Sequence, residues 1–314
     1  MKFYNLSLAV VAVLSFGLSG CGDSDSNSTP SLSFPSTAVV VEVNSQETAQ
    51  EVVEAVFSDN AGEVSGLNNA IATQKVGIVE TVNTLKKVTK NYVSKLDTYA
   101  LNETVNETEE CDNGGSTTVK GSGSESGYSV EYSFNNCDDG YGLINGSMRV
   151  EGSYQEDDTI ESSTTKTILL TDYVVTTDYY SLKIYKGSIV EESYTYNWDT
   201  YDEIIDTKSS VIIEQGSNKL GSDELEEHYA DIDYDESYYF KAGKVYTNNL
   251  ASYLTVDESY DASQTPFNGS DGKAKFIGAN SSSITISENG YYNGYLVEVD
   301  TDNDGVIDNT YTID

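Results

Sequence analysis

From Ser116 onward the chain alternates. Tyr128, Val130, Tyr132 and Phe134 face one way while Ser129, Glu131 and Ser133 face the other. Ile144, Met148, Val150 and Tyr154 repeat the pattern against Asn145, Ser147, Arg149 and Glu151, and Tyr194, Tyr196 and Trp198, then Ile232, Tyr234, Tyr238 and Phe240, continue it. A period of two marks antiparallel strands with one dry face and one wet face. The chain has 25 tyrosines and only 3 prolines, which suits a pleated, half-buried surface. Turn signals at Asp157-Asp158, Gly187-Ser188, Gly216 to Gly221, Ala242-Gly243 and Asn289-Gly290 separate the runs. They divide the region into about a dozen strands, many of about twelve residues, joined as hairpins in a meander.

Ahead of this region the periodicity is helical. Ala38 to Val43 reads as a short first strand. Asn44 and Glu47 then have the spacing of a capping box, before Val52, Val53, Val56 and Phe57 at helical intervals. A longer helix is predicted from about Leu67 to Leu96, where Ile71, Ile78, Leu85 and Tyr92 recur every seven residues beside Val82 and Val88. Lys75 and Thr89 interrupt the heptad, which favours packing on a sheet over a coiled coil. Lys86, Lys87, Lys90 and Lys95 give this helix a basic far face, expected to meet acidic strands or solvent. The predicted helix is about 45 Å long, and ten strands side by side span a similar distance. The expected class is therefore α+β, mostly β: N-terminal helices packed on a large curved antiparallel meander or open barrel. Residues 38–110 would hold the short strand and helices and residues 111–314 the sheet, together one domain.

Charge restricts the partners. Lys and Arg number 17 against 52 Asp and Glu, a formal net charge of -35. Such a surface repels nucleic acid, itself a polyanion, and suits divalent cations, cationic partners or plain solubility.

The N-terminus carries an address. Lys2 precedes an apolar run from Leu6 to Leu18, too short for a membrane span and right for the core of a signal peptide, with small residues Ser19 and Gly20 before Cys21. Leu18-Ser19-Gly20-Cys21 resembles the lipobox of bacterial lipoprotein precursors. That resemblance implies that residues 1–20 are removed, that Cys21 receives a diacylglycerol, and that residues 21–37 tether the body to a membrane. Gly22, where an Asp would favour the inner membrane, implies sorting to the outer membrane. Once Cys21 carries lipid, two cysteines remain, and an even pair in an exported protein reads as a Cys111–Cys137 disulfide. The stretch from Cys111-Asp112-Asn113-Gly114-Gly115 to Phe134-Asn135-Asn136-Cys137 resembles a cysteine-bounded hairpin of uncharacterised exported β-rich proteins, a resemblance that implies no activity.

Catalytic signals are sparse. His228 is the only histidine, so a multi-histidine zinc site is excluded, and it reads as an exposed side chain beside acids at the start of a strand. Asp231, Asp233 and Asp235 read as the wet face of a strand. No Gly-x-Ser-x-Gly elbow is present. The sharpest motif is Asp300-Thr301-Asp302-Asn303-Asp304-Gly305-Val306-Ile307-Asp308. Acids at positions 1, 3, 5 and 9 and Gly at 6 match the first nine positions of an EF-hand loop, so calcium is expected on Asp300, Asp302, Asp304, Asp308 and the Val306 carbonyl. Position 12 is Tyr311 rather than Glu, and the flanks read as strands. The combined expectation is a lipid-anchored, calcium-stabilised envelope module with a structural or binding role. A carrier of an apolar ligand in an open barrel and a carboxylate-based hydrolase are the alternatives.

Overall fold

The computed structural model describes residues 30–57, 76–94, 104–124, 127–140, 142–157, 159–177, 180–232, 235–257, 273–288, 294–302 and 304–313. Within them the fold is mostly β, as the alternation predicts, with seventeen strands in one sheet that curls partway into a ring around two helices.

The described chain enters as a strap across the outside of the sheet. Leu32 and Phe34 pack on Ile212, Tyr246 and Leu250, with Phe34 stacked on Tyr246 at 4.4 Å between ring centres. Residues 30–37, expected to belong to a free tether, are thus held against the body. Next, β1 (Val39–Val40) runs parallel to Ser252 and Tyr253, and Val41 extends the contact by donating to the Tyr253 carbonyl.

In α1 (Gln46–Val56) the N-cap is Ser45 rather than Asn44: Ser45 is extended, and its hydroxyl accepts the Thr48 N–H at 3.2 Å. The cap lies one residue later than predicted because the serine oxygen reaches the third helical N–H, which leaves Glu47 in the first turn facing the positive end of the helix.

The second helix, α2 (Ile78–Ser94), starts later than predicted. Val76 and Gly77 are not helical, and the Gly77 carbonyl accepts both the N–H and the hydroxyl of Thr81, so the first turn begins at a residue of poor helix propensity. Ile71, Lys75, Lys95 and Leu96 lie outside the described residues. The rest of the stripe, Ile78, Val82, Leu85, Val88 and Tyr92, is buried. Thr89, read as an interruption, is buried with it because its hydroxyl pairs with that of Thr167 at 2.9 Å. Lys86 meets an acidic strand as expected, 2.5 Å from Glu192.

The sheet begins at Val105, ahead of the boundary expected at residue 111. Strands β2 (Val105–Glu110), β3 (Ser116–Ser124), β4 (Gly127–Cys137) and β5 (Leu143–Glu156) pair in turn, and β6 (Ile160–Leu169) pairs with the second half of β5. Here the meander departs from simple hairpins. β7 (Tyr173–Thr176) pairs with the first residues of β5, β8 (Ser181–Ile184) pairs with β7, and β9 (Ile189–Asn197) returns to β6. β10 (Glu203–Gln215) pairs with β9 along most of its length and with β8 near its end. Two short pairs therefore fill, end to end, the space between two long strands.

The remaining strands, β11 (Asn218–Ile232), β12 (Asp235–Thr247), β13 (Ser252–Val256), β14 (Lys273–Ile277), β15 (Ser283–Glu288), β16 (Tyr295–Asp300) and β17 (Asn309–Ile313), each pair antiparallel with the one before. The β10–β11 turn is Gly216-Ser217 alone, and Gly221 lies within β11 beneath the Phe34 ring. Ala242-Gly243 is not a turn. It sits inside β12 at a slip in register against Asp223 to Glu226, where Gly243 has φ +110° and a Cβ would fall 2.5 Å from the Glu224 carbonyl oxygen. A glycine bulge and a glycine turn look alike in sequence. Asn289-Gly290 lies outside the described residues. Among those residues β2 pairs only with β3 and β17 only with β16, so the ring keeps two free edges.

The helices fill the concave face. α1 packs on β12, β16 and β17, with Phe57 stacked on Tyr295 at 5.1 Å, and α2 packs on β9, β10 and β11. Val130, Tyr132, Phe134, Ile144, Met148 and Val150 are buried, as their alternation predicts. Tyr154, Trp198 and Ile232, read as dry-face residues, are exposed where they stand at or just past strand ends.

Among the described residues an acid of the inner face is buried. Glu227 of β11 is buried, with Oε2 accepting from the Tyr238 hydroxyl at 2.6 Å and Oε1 without a hydrogen-bond partner among the described residues. Burial raises its pKa above the usual carboxylate range, opposed by the Tyr238 hydrogen bond and the charge of Lys86 on α2. The folded state then holds the proton more tightly than the unfolded chain, so stability present below the unfolded pKa of about 4.3 is lost as pH rises toward the folded value. Glu227→Gln should remove that loss. Denaturant unfolding from pH 4 to 8 checks this, and parallel stability–pH curves for the two proteins would show that Glu227 is ionised without penalty.

Candidate metal centre

The β16–β17 connection starts where Asp300 leaves the ladder. Val299 pairs with Asn309, and the Asp308 N–H donates to the Val299 carbonyl at 2.9 Å, which closes the base of the loop. Asp300 is buried, and its side chain turns into the loop. Its Oδ1 accepts the N–H groups of Asp302 and Asp304 at 3.3 Å each, and its Oδ2 accepts that of Gly305 at 2.9 Å. Asp302 Oδ1 accepts from the Asp304 N–H, and Asp304 Oδ1 from the Val306 N–H. Gly305, with φ +88°, lets the backbone reverse.

This winding brings carboxylate oxygens of Asp300, Asp302 and Asp304 within 4.8 Å of one another. The last basic residue in the chain is Lys275, so no lysine or arginine of the hairpin offsets them. Carboxylates at that separation repel by roughly 1 to 3 kcal/mol per pair between bulk water and a protein surface. A hard cation would relieve the repulsion, and an all-oxygen donor set suits calcium or magnesium rather than a soft metal.

The other two expected ligands stand differently. Asp308 is not in the cluster: its Oδ2 accepts the N–H of Thr301 at 2.8 Å and its hydroxyl at 2.6 Å, and these bonds hold its pKa below the ordinary range. Val306 places an exposed side chain in the loop. Tyr311, at position 12, lies in β17 opposite Val297. The loop therefore assembles three of the four predicted acids and uses the fourth as a brace. Thr301 was missed by the motif, since its hydroxyl matters only after Asp308 folds back.

The remaining sites divide similarly. Cys111 and Cys137 form a disulfide, with Cα atoms 5.4 Å apart. Asp139 lies close to both sulfurs, but the bond removes the thiols as metal ligands. Cys21 lies outside the described residues. His228 is mid-strand rather than exposed at a strand start: its Nδ1 is 2.8 Å from Asp206, and its ring packs on Tyr239 at 4.9 Å. Lys241 reaches the same Asp206 oxygen at 2.6 Å, so the histidine belongs to an ion-pair cluster of the sheet. Asp233 lies outside the described residues. No protein-family model, curated protein or solved structure matches the chain.

Proposed function

We propose that this protein is a lipid-anchored binding or structural module of the cell envelope, attached to the outer membrane through Cys21, with calcium closing its C-terminal hairpin. The observation that carries the calcium reading is the convergence of Asp300, Asp302 and Asp304 around backbone N–H groups in a hairpin without a basic residue of its own. The anchor reading rests on Leu18-Ser19-Gly20-Cys21, and the disulfide accords with an oxidising compartment.

With three carboxylates and no acid at position 12, affinity near the millimolar range of extracellular calcium modules is expected. Free calcium at about ten times Kd then stabilises by about 1.4 kcal/mol, a rise of a few degrees in melting temperature for a chain of this size. Asp302→Ala should abolish that rise at matched ionic strength. An equal calcium-dependent shift in both proteins, measured against chelator, would leave the loop as a turn only. For the anchor, metabolic labelling with a palmitate analogue should mark the wild-type chain and not Cys21→Ala. Equal labelling of the two would overturn it.

A further inference from the structure

Alongside α2 the sheet is not fully covered. A groove of about 410 Å³ runs between the helix and the inner face of β6, β9 and β10. Its helix wall presents Lys86, Lys90 and Val93, its floor carries Thr165, Val190, Tyr194 and Ile205, and its outer rim carries Glu161 and Glu203. The rim is set by register: both Glu161 and Glu203 pair with Tyr196 of β9, so the three side chains share one face with Tyr196 in the middle, and the Cα atoms of the two acids stand about 10 Å apart across the sheet.

The charges in this groove are not mutually cancelled. Lys86 is occupied, with Nζ 2.5 Å from Glu192 and 3.0 Å from the Thr207 hydroxyl. Among the described residues Lys90, Glu161 and Glu203 have no ion-pair partner. Lys90 thus stands as a cation on the helix wall, with the two carboxylates on the opposite rim. Tyr194 lies in the field of both acids: partial burial, then Glu203 and Glu161, raise its phenol pKa. Between the charged ends the floor mixes hydroxyl and aliphatic groups, which suits a backbone with a small apolar side chain.

We infer that this groove binds a short zwitterionic peptide, with its terminal carboxylate at Lys90 and its terminal ammonium at the acidic rim of Glu161 and Glu203, beside Tyr194. An ammonium at that place gains one carboxylate directly, the field of the second, and an aromatic face beside them. Length is limited by the floor. Thr165, at the helix end of the groove, is four residue steps along β6 from Glu161 at the rim, about 13 Å along the strand, and an extended tripeptide spans about 10 Å. A purely anionic ligand would face the unpaired acids, and a purely cationic one would face Lys90. The groove shares no residue with the calcium loop or the lipid anchor, so neither is needed for peptide binding.

The probe is Gly-Leu-Gly, titrated calorimetrically into the purified full chain beside its N-acetylated and C-amidated forms. The free tripeptide should bind, and blocking either end should weaken binding about tenfold or more, since each block removes one charge-assisted contact. Lys90→Gln should lower affinity for the free peptide and erase the effect of amidation while leaving that of acetylation. The double change Glu161→Gln with Glu203→Gln should do the reverse. Lys120→Gln, in β3 outside the groove, should change nothing. Absence of binding at millimolar peptide would overturn the proposal, as would equal affinity for all three forms. Because the blocked peptides are titrated into the wild-type chain, these outcomes do not depend on how any variant folds.

Discussion

Leu85→Ala is expected to destabilise the protein by about 2 to 5 kcal/mol. Leu85 is 1% exposed, at the centre of the α2 stripe between Val82 and Val88, with the curved sheet around it. Removing its isobutyl group loses the transfer free energy of the buried carbons and opens a cavity that a sheet paired on both sides collapses into only partly. The neighbouring contacts resist collapse, because Lys86 is tied to Glu192 and Thr207 and Thr89 to Thr167, which holds the helix at its height above the strands. Denaturant unfolding of the two proteins measures the loss. A value under about half a kcal/mol would mean that the α2 stripe does not serve as core.

Removing the disulfide is expected to cost about as much. The Cys111–Cys137 bond closes a loop with a sequence separation of 26, for which chain entropy alone gives about 3.5 kcal/mol. The bond also holds a packed corner. Tyr92 of α2 donates its hydroxyl to Asp139 at 2.7 Å, sits on Phe134 at 5.0 Å and accepts at its backbone carbonyl from the Tyr132 hydroxyl at 3.1 Å. The start of β3 and the end of β4 are thus fastened to the last turn of the helix through residues beside Cys137. Cys111→Ala with Cys137→Ala should lower stability by about 3 to 4 kcal/mol in oxidising buffer and abolish the difference between oxidising and reducing conditions seen in the wild type. If reduction left wild-type stability unchanged, the bond would contribute nothing beyond its neighbours.

What was legible in the sequence follows the physics of each signal. The stripe from Ile78 to Tyr92 and the alternation in β4 and β5 are local patterns imposed by one buried face, and they place the core residues without any knowledge of contacts. The acids of the C-terminal loop were legible for the same reason, since spacing alone brings Asp300, Asp302 and Asp304 together. Features that depend on pairing between distant residues were hidden. Ala242-Gly243 reads as a turn until β11 supplies the matching slip, and the expected meander of simple hairpins does not show that β7 and β8 fill the space left by β6 and β9. Glu227 stands among Glu226, His228 and Asp231, a run that looks uniformly wet, yet alternation within β11 turns it alone into the core. The groove was invisible because its walls come from three separate parts of the chain.

Among the described residues β2 has a neighbour on one side only. An open strand is a template on which another chain can add a strand. Here Glu107 and Glu109 lie opposite Val119 and Thr117, two buried residues, and so point toward the concave side, while Glu110 lies on the other face beside polar Thr108. A second copy of this acidic strand would have to bring its side chains against like-signed, exposed carboxylates on both faces at once. The acidity that looks like a uniform coat in the composition is, along this strand, a guard against fibrillar growth.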